Sequence, residues 1–311
     1  MKRVWRRLDG VLLFDKPLEL SSNTALQKIR RLYQAEKAGH TGTLDPLATG
    51  LLPVCFGEAT KFSNALLDAD KTYVASLKLG QTTTTADAEG EIISERAVDF
   101  TDADLARALE MFRGEISQLP PMHSALKHQG IPLYEYIRKG ITIEREPRRV
   151  VIHELNVNSR DGDSMEISVR CSKGTYVRTL AEDIGEALGC GAHLTALRRT
   201  AIAHLSLADA WNLEQLAAMS DEARDACVLP LTTLMPDMPR LSLDETQVRR
   251  ISQGQRLSID TGLPDGKIAL YGPDGFVGVG MQQGRRIAPD RLLSAAAKLA
   301  ARADLTEVVE Q

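Results

Sequence analysis

Hydrophobic spacing divides this chain into segments before any chemistry is considered. Residues 10–15, Gly-Val-Leu-Leu-Phe-Asp, form a short continuous apolar run that stops at Lys16-Pro17, which predicts a buried strand. Ser21, Ser22 and Asn23 offer caps for a helix with Leu26, Ile29 and Tyr33 on one face and Lys28, Arg30 and Arg31 on the others. Residues 72–79 alternate strictly, with Tyr73, Ala75, Leu77 and Leu79 on one side of a predicted strand. Met165, Ile167, Val169 and Cys171 repeat that period. Two more helices are predicted. One covers 101–112, with Thr101 and Asp104 spaced as a capping box and Gly114 beyond its end. The other follows Arg178, turns Leu180, Ile184 and Leu188 inward and stops at Gly189.

Between these segments the texture changes. Residues 117–149 are punctuated by Pro120, Pro121, Gly130, Pro132, Gly140 and Pro147, are rich in Tyr, Arg and His, and hold one short helix near 134–139. They read as an arm or flap rather than core. Pro230, Pro236 and Pro239 mark 230–245 as a linker. Beyond it, Ile268-Ala269-Leu270-Tyr271, then Gly272-Pro273-Asp274-Gly275, then Phe276-Val277-Gly278-Val279 is a strong hairpin signal inside a small β-rich module. Residues 292–309 are expected to be helical.

Bulk properties exclude several classes. The 311 residues, 43% apolar and 26% charged, suit one large domain and a small one. No apolar run approaches the roughly 20 residues of a membrane span. The basic start (Lys2, Arg3, Arg6, Arg7) leads into an apolar run too short for a signal peptide, so a cytoplasmic protein is expected. Cys55, Cys171, Cys190 and Cys227 lie far apart without metal spacing, which points to reduced thiols and no metal site. The net charge of −4 hides an uneven spread. Residues 1–40 carry nine Lys/Arg against four Asp/Glu, and 121–150 carry six against three. A basic face for phosphates is therefore compatible with the overall balance, as are scattered solvated charges.

The string Gly39-His40-Thr41-Gly42-Thr43-Leu44-Asp45-Pro46-Leu47-Ala48-Thr49-Gly50 changes the picture most. It sets a single carboxylate, Asp45, among glycines, threonines and a proline, residues able to lift a side chain off regular structure and hold it there. An isolated Asp-Pro reads as a solvated turn. A loop of this length and composition, beside the motifs that follow, reads as a site.

Together with Asp15-Lys16-Pro17, Lys71-Thr72-Tyr73 and Gly174-Thr175-Tyr176-Val177-Arg178-Thr179-Leu180, the string resembles the bacterial TruB family of tRNA pseudouridine synthases. The resemblance runs from about Gly10 through the C-terminal module. It implies an α/β (α+β) pseudouridine synthase fold with a central mixed, mainly antiparallel sheet flanked by helices. It also implies a catalytic domain over 1–237, with an RNA-clasping insertion at about 117–149, and a small β-rich PUA-like domain over 238–311. The implied reaction is conversion of uridine to pseudouridine in the TΨC loop of tRNA (uridine 55) on a flipped-out base, without metal or organic cofactor. Asp45 matches the nucleophile, Arg178 its cationic partner, and Tyr73 the tyrosine that stacks on the base and helps remove the C5 proton. Asp87 resembles the acid behind the arginine, and Leu197 the apolar wall on the other face of the uracil. Tyr176 is a further substrate contact. His40 resembles the histidine that fills the space left by extruded bases, and Lys16 is expected to support the site rather than react. Arg145, Arg148 and Arg149 are candidate phosphate grips. His123 stands where an aromatic residue, often Tyr, is expected. The implied partner is tRNA, gripped at the TΨC stem-loop and acceptor end, by a monomer with no obligate protein partner and no membrane.

Two other readings compete. One is the catalytic subunit of a guide-RNA pseudouridylation complex, against which stand the full 117–149 arm and a mixed, acidic end where eukaryotic members carry a long Lys-rich tail. The other is a tRNA-folding factor, whose benefit would come without modification.

Overall fold

The computed structural model describes residues 5–124 and 126–294. Strand β1 (Gly10–Lys16) occupies the predicted apolar run, and α1 (Ser22–Leu32) begins at Ser21, whose side chain accepts the Thr24 N–H. The chain then forms β2 (Ala38–His40), the Asp45 loop, β3 (Ala48–Phe56) and β4 (Lys71–Leu79). Helix α2 (Asp102–Glu110) carries the predicted Thr101/Asp104 capping box. β5 (Gly114–Gln118) precedes an arm that contains the short α3 (Leu133–Ile137). β6 (Arg148–Asp161), β7 (Ser164–Cys171), α4 (Val177–Ala187) and β8 (Ala192–Ile202) complete the larger unit.

These strands form one mixed, mainly antiparallel sheet in the order β1-β3-β8-β4-β7-β6-β5, with β2 added on β3. The parallel joint on that path is β3 against β8, where Leu197 faces Ala48 and Arg199 faces Gly50. β8 runs antiparallel to β4 on its other side, which sets Arg199 opposite Tyr73. Leu26, Ile29 and Tyr33 of α1 and Leu180 and Ile184 of α4 bury against the same core as Tyr73, Ala75, Leu77 and Leu79 of β4. Burying a side chain of this size contributes roughly 1.5–3 kcal/mol.

A second sheet of five strands has the order β9-β11-β12-β13-β10, formed by β9 (Arg240–Ser242), β10 (Leu257–Ser258), β11 (Gly266–Gly272), β12 (Gly275–Gln283) and β13 (Arg286–Leu292). The predicted hairpin is β11–β12, closed with Gly272 facing Gly275. This sheet has its own core of Leu243, Ile251, Leu257, Ile268, Leu270, Val277 and Ile287. Val279 leaves that core to join Val11, Leu13 and Leu51 behind the large sheet.

Three expectations change. The stretch read as a linker is ordered: a 3₁₀ turn spans Leu231–Leu234 and β9 pairs with β11. The arm is shorter than 117–149, because Ser117 and Gln118 pair with Arg149 and Arg148 in the large sheet. Backbone pairing there outweighs the local loop-like composition. The 39–50 loop also narrows to 41–47, its ends being drawn into β2 and β3. The helix expected over 292–309 lies, past Ser294, outside the described residues.

Gly50 marks the closest approach in the parallel joint. Its φ is +100°, and a Cβ there would sit 2.3 Å from the Arg199 carbonyl oxygen. Gly50→Ala is therefore expected to destabilise the protein by about 2–4 kcal/mol, from left-handed strain plus overpacking. An unchanged denaturant midpoint for that variant would show that the joint is not tight.

Candidate active site

The Asp45 loop is fixed from several directions. Ser22, at the start of α1, donates its hydroxyl to the Leu44 carbonyl (2.9 Å) and accepts the Leu44 N–H (2.7 Å). Glu19 N–H bonds the Pro46 carbonyl (3.0 Å), and Ala48 N–H closes the turn on the Asp45 carbonyl (3.0 Å). Buried Leu44 anchors the loop in the main core. The residue before Pro46 thus has little freedom left, and its carboxylate emerges at one end of the parallel β3–β8 joint.

Arg178, the second residue of α4, is the hub. It is buried, and its Nη2 lies 3.0 Å from Asp45 Oδ2 while Nη1 lies 3.1 Å from Asp87 Oδ2. Nη2 also donates to the His123 carbonyl (2.7 Å), and Nη1 reaches the Thr85 carbonyl (3.4 Å). Because the contact at 123 is made by the backbone, a histidine serves there as well as an aromatic residue. Asp87 is sealed in, its Oδ1 accepting from the Thr85 hydroxyl (2.5 Å) and the Glu89 N–H (3.1 Å). Asp87 thus sits in a turn and braces the guanidinium at once. The two carboxylates differ in access: the Asp45 side chain keeps 43% of its accessible surface and that of Asp87 2%. One acid holds the guanidinium, and the other faces a cavity.

That cavity, about 250 Å³, is lined by Asp45, Tyr73, Tyr176, Arg178, Leu197 and Arg199, with Ser124 from the arm. Burial pushes the Asp45 carboxyl above its ordinary value; Arg178 pulls it back, Asp87 pushes it further up, and Lys16 opposes both. The nearby cation thus offsets the desolvation only in part. Burial likewise raises the Tyr73 phenol, with Arg199 acting against it. A larger hollow of about 590 Å³ lies where the two sheets meet, lined by Phe62, Met235, Lys267 and Arg291 among others. Its His204 Nε2 is taken by the Thr233 carbonyl at 2.8 Å, and the Asp45–Arg178 pair is not there.

Of the residues singled out in the sequence, Asp45, Tyr73, Arg178, Tyr176 and Leu197 share the cavity wall, with Asp87 directly behind. Two stand apart from that lining. His40, in β2, accepts the Gly42 N–H on Nδ1 (3.3 Å) and so clasps the loop, while burial and Arg199 lower its pKa. Lys16 is fully buried and donates to the carbonyls of Pro17 (2.9 Å) and Leu20 (2.6 Å). Burial pulls its pKa down to about 8, with Arg199 adding and Asp45 opposing. His40 thus holds the loop directly, whereas Lys16 closes the 17–20 turn, whose Glu19 N–H holds Pro46. Among the three candidate phosphate grips, Arg145 is turned inward onto the Pro120 carbonyl (2.8 Å) and Arg149 pairs with Glu115 (2.9 Å), whereas Arg148 is exposed.

Arg199 escapes sequence reasoning. It is fully buried, donates from Nε to the Leu51 carbonyl (2.8 Å) and from Nη2 to the Gly42 carbonyl (3.2 Å), and abuts Tyr73. The available signal is an arginine two residues after Leu197, on the inward parity of an alternating strand.

Comparison with known proteins agrees along the chain. The family model described as "TruB family pseudouridylate synthase (N terminal domain)" matches residues 30–177. Those for the "tRNA pseudouridylate synthase B C-terminal domain" and "Pseudouridine synthase II TruB, C-terminal" match 178–235 and 239–293. A tRNA pseudouridine synthase B of Methylobacillus flagellatus is 53% identical over 294 residues, covering 94% of this chain and 97% of that protein. One from Chromobacterium violaceum is 54% identical, covering 93% and 96%. Among solved structures, a Cbf5-Nop10-Gar1 complex superposes with TM-score 0.71 at 26% identity, covering 91% of this chain and 84% of the matched one.

The two carboxylates should respond differently to substitution. A carboxyl with a raised folded pKa weakens folding above that pKa, so Asp45→Asn is expected to be no less stable than wild type at pH 7. Any gain should vanish at about pH 2, well below the ordinary aspartate value, where the wild-type group is protonated both folded and unfolded. Asp87→Ala, which strips a buried partner from Arg178, should cost about 3 kcal/mol. Thermal melts of both variants across that pH range check the contrast, and equal destabilisation would refute it.

Proposed function

The chain belongs to the TruB family of pseudouridylate synthases, and from that membership we propose that it isomerises uridine to pseudouridine in tRNA, at the uridine of the TΨC loop (uridine 55). The observation that carries the reading is the Asp45 carboxylate 3.0 Å from buried Arg178 and open to a cavity walled by Tyr73 and Leu197.

The reaction breaks the bond from N1 to C1′, forms one from C5 to C1′ and releases the C5 proton to N1 or solvent, with no net redox change. Asp45 is the nucleophile, adding at uracil C6 or at ribose C1′. Arg178 keeps enough of it ionised and oriented, and Asp87 keeps Arg178 in place. Tyr73 stacks on the base and assists removal of the C5 proton, while Leu197 covers the other face and Tyr176 borders the nucleoside. A cavity of about 250 Å³ suits one everted nucleoside rather than a helix. His40 and Lys16 support the loop, and His40 is also the group expected to meet the vacated base stack. The arm clasps the TΨC stem-loop with Arg148 at its base, and the PUA-like small sheet takes the acceptor end. The enzyme acts in the cytoplasm as a monomer, with no guide RNA or protein partner.

Incubation of the purified chain with unmodified tRNA transcript, followed by chemical mapping, is expected to show pseudouridine at that one position. Asp45→Asn should abolish it while tRNA affinity stays within a few fold. Arg178→Lys should lose most activity, because a point charge cannot hold two carboxylates in a planar fork. Modification at the wild-type rate by Asp45→Asn, or a need for added guide RNA, would refute the reading. Affinity should also fall steeply as salt rises.

A further inference from the structure

The segment that closes the cavity from the arm's side holds a polar group that folding does not use. Ser124 follows His123, whose carbonyl holds Arg178 at 2.7 Å, and its own carbonyl accepts the Tyr134 N–H of α3 at 3.2 Å. The backbone here is tied both to the catalytic arginine and to the arm. Ser124 keeps 4% of its accessible surface and lines the cavity with Asp45, Tyr73, Arg178 and Leu197. Its Oγ has no hydrogen-bond partner among the described residues. A buried hydroxyl without a partner weakens the fold relative to the alanine that could fill nearly the same space.

We propose that Ser124 is a substrate-recognition residue, donating its hydroxyl to an oxygen of the everted uridine, either uracil O4 or the ribose 2′ oxygen. The proposal rests on the isomerase function above and names a specificity contact within that site. In the unbound protein Oγ is sealed from water, and rotation about χ1 between staggered positions is the smallest motion that turns it toward the cavity. The bond would then form only with the nucleoside in place. Because the same segment holds Arg178, a seated uridine, the arm and the nucleophile's partner would be joined through consecutive residues. Loss of Ser124 should therefore affect recognition without loosening the protein.

The test compares wild type with Ser124→Ala on three tRNAs, carrying uridine, 2′-deoxyuridine or 4-thiouridine at the target position. Single-turnover rate is read on the uridine substrate, affinity on all three, and melting temperature on both proteins. Expected are a rate and affinity about three- to tenfold lower on uridine, the loss of one neutral hydrogen bond, with an equal or higher melting temperature. On the analogue that lacks or weakens the acceptor, the two proteins should bind alike, which identifies the oxygen. Equal behaviour of both proteins on uridine would overturn the proposal. So would a lowered melting temperature that accounts for the loss, or the same loss on all three substrates. Wild type inactive on the uridine transcript would instead bring down the isomerase function, and this contact with it.

Discussion

The buried guanidinium of Arg178 is the constraint on which the site depends. It cannot be neutralised, so its place in the interior requires that its donors be matched by acceptors of fixed position. Asp87 and Thr85 from one turn and the carbonyl of His123 from the arm provide three of these. Asp45 provides the fourth and is the carboxylate open to the cavity. The arginine is thus anchored from behind and presents its remaining edge to a carboxyl that burial pushes above its ordinary value. The role proposed for Asp45 needs this balance, with cationic support beside the carboxylate but no cage that would occupy both oxygens.

The sheet explains why these groups meet. β3 begins directly after the Asp45 loop and runs parallel to β8, which carries Leu197 and Arg199, while β4 carries Tyr73 alongside β8 on the opposite side. Three neighbouring strands therefore deliver the Asp45 loop, Leu197 and the Tyr73 phenol to one end of the sheet. Arg199 ties them together: one guanidinium holds a carbonyl of the loop and one of β3 and sits against Tyr73. Among the described residues no carboxylate pairs with it, so its charge acts on Tyr73, Lys16 and His40. The backbone at Gly50 has to come unusually close for this, which is why a Cβ is excluded there.

The arm contributes more than a cover. Through the carbonyls of His123 and Ser124 it touches both the arginine and its own helix. The contact to the arginine and the contact to the arm's helix are in this way made by consecutive residues. Composition had marked 117–149 as loop-like, and the sheet took back its two ends, because Gln118 and Arg148 complete a ladder whose hydrogen bonds no local preference outweighs.

Much of this was legible in the residues. Strict alternation in 72–79, the capping box at Thr101, the stop at Gly189 and the hairpin at 272–275 each depend on near neighbours, and each element forms as its pattern predicts. The motif strings around Asp45, Tyr73 and Arg178 likewise named the groups that share the cavity. Arg199, Ser124 and the Ser22 clasp were not legible, since each owes its role to partners brought together by strand order and by the fold of the arm. Sequence alone decided which residue types stand where, and hence the elements and the chemistry on offer. Only the tertiary structure decided which of two aspartates faces the cavity and which is sealed behind Arg178, because accessibility is set by everything packed around a side chain.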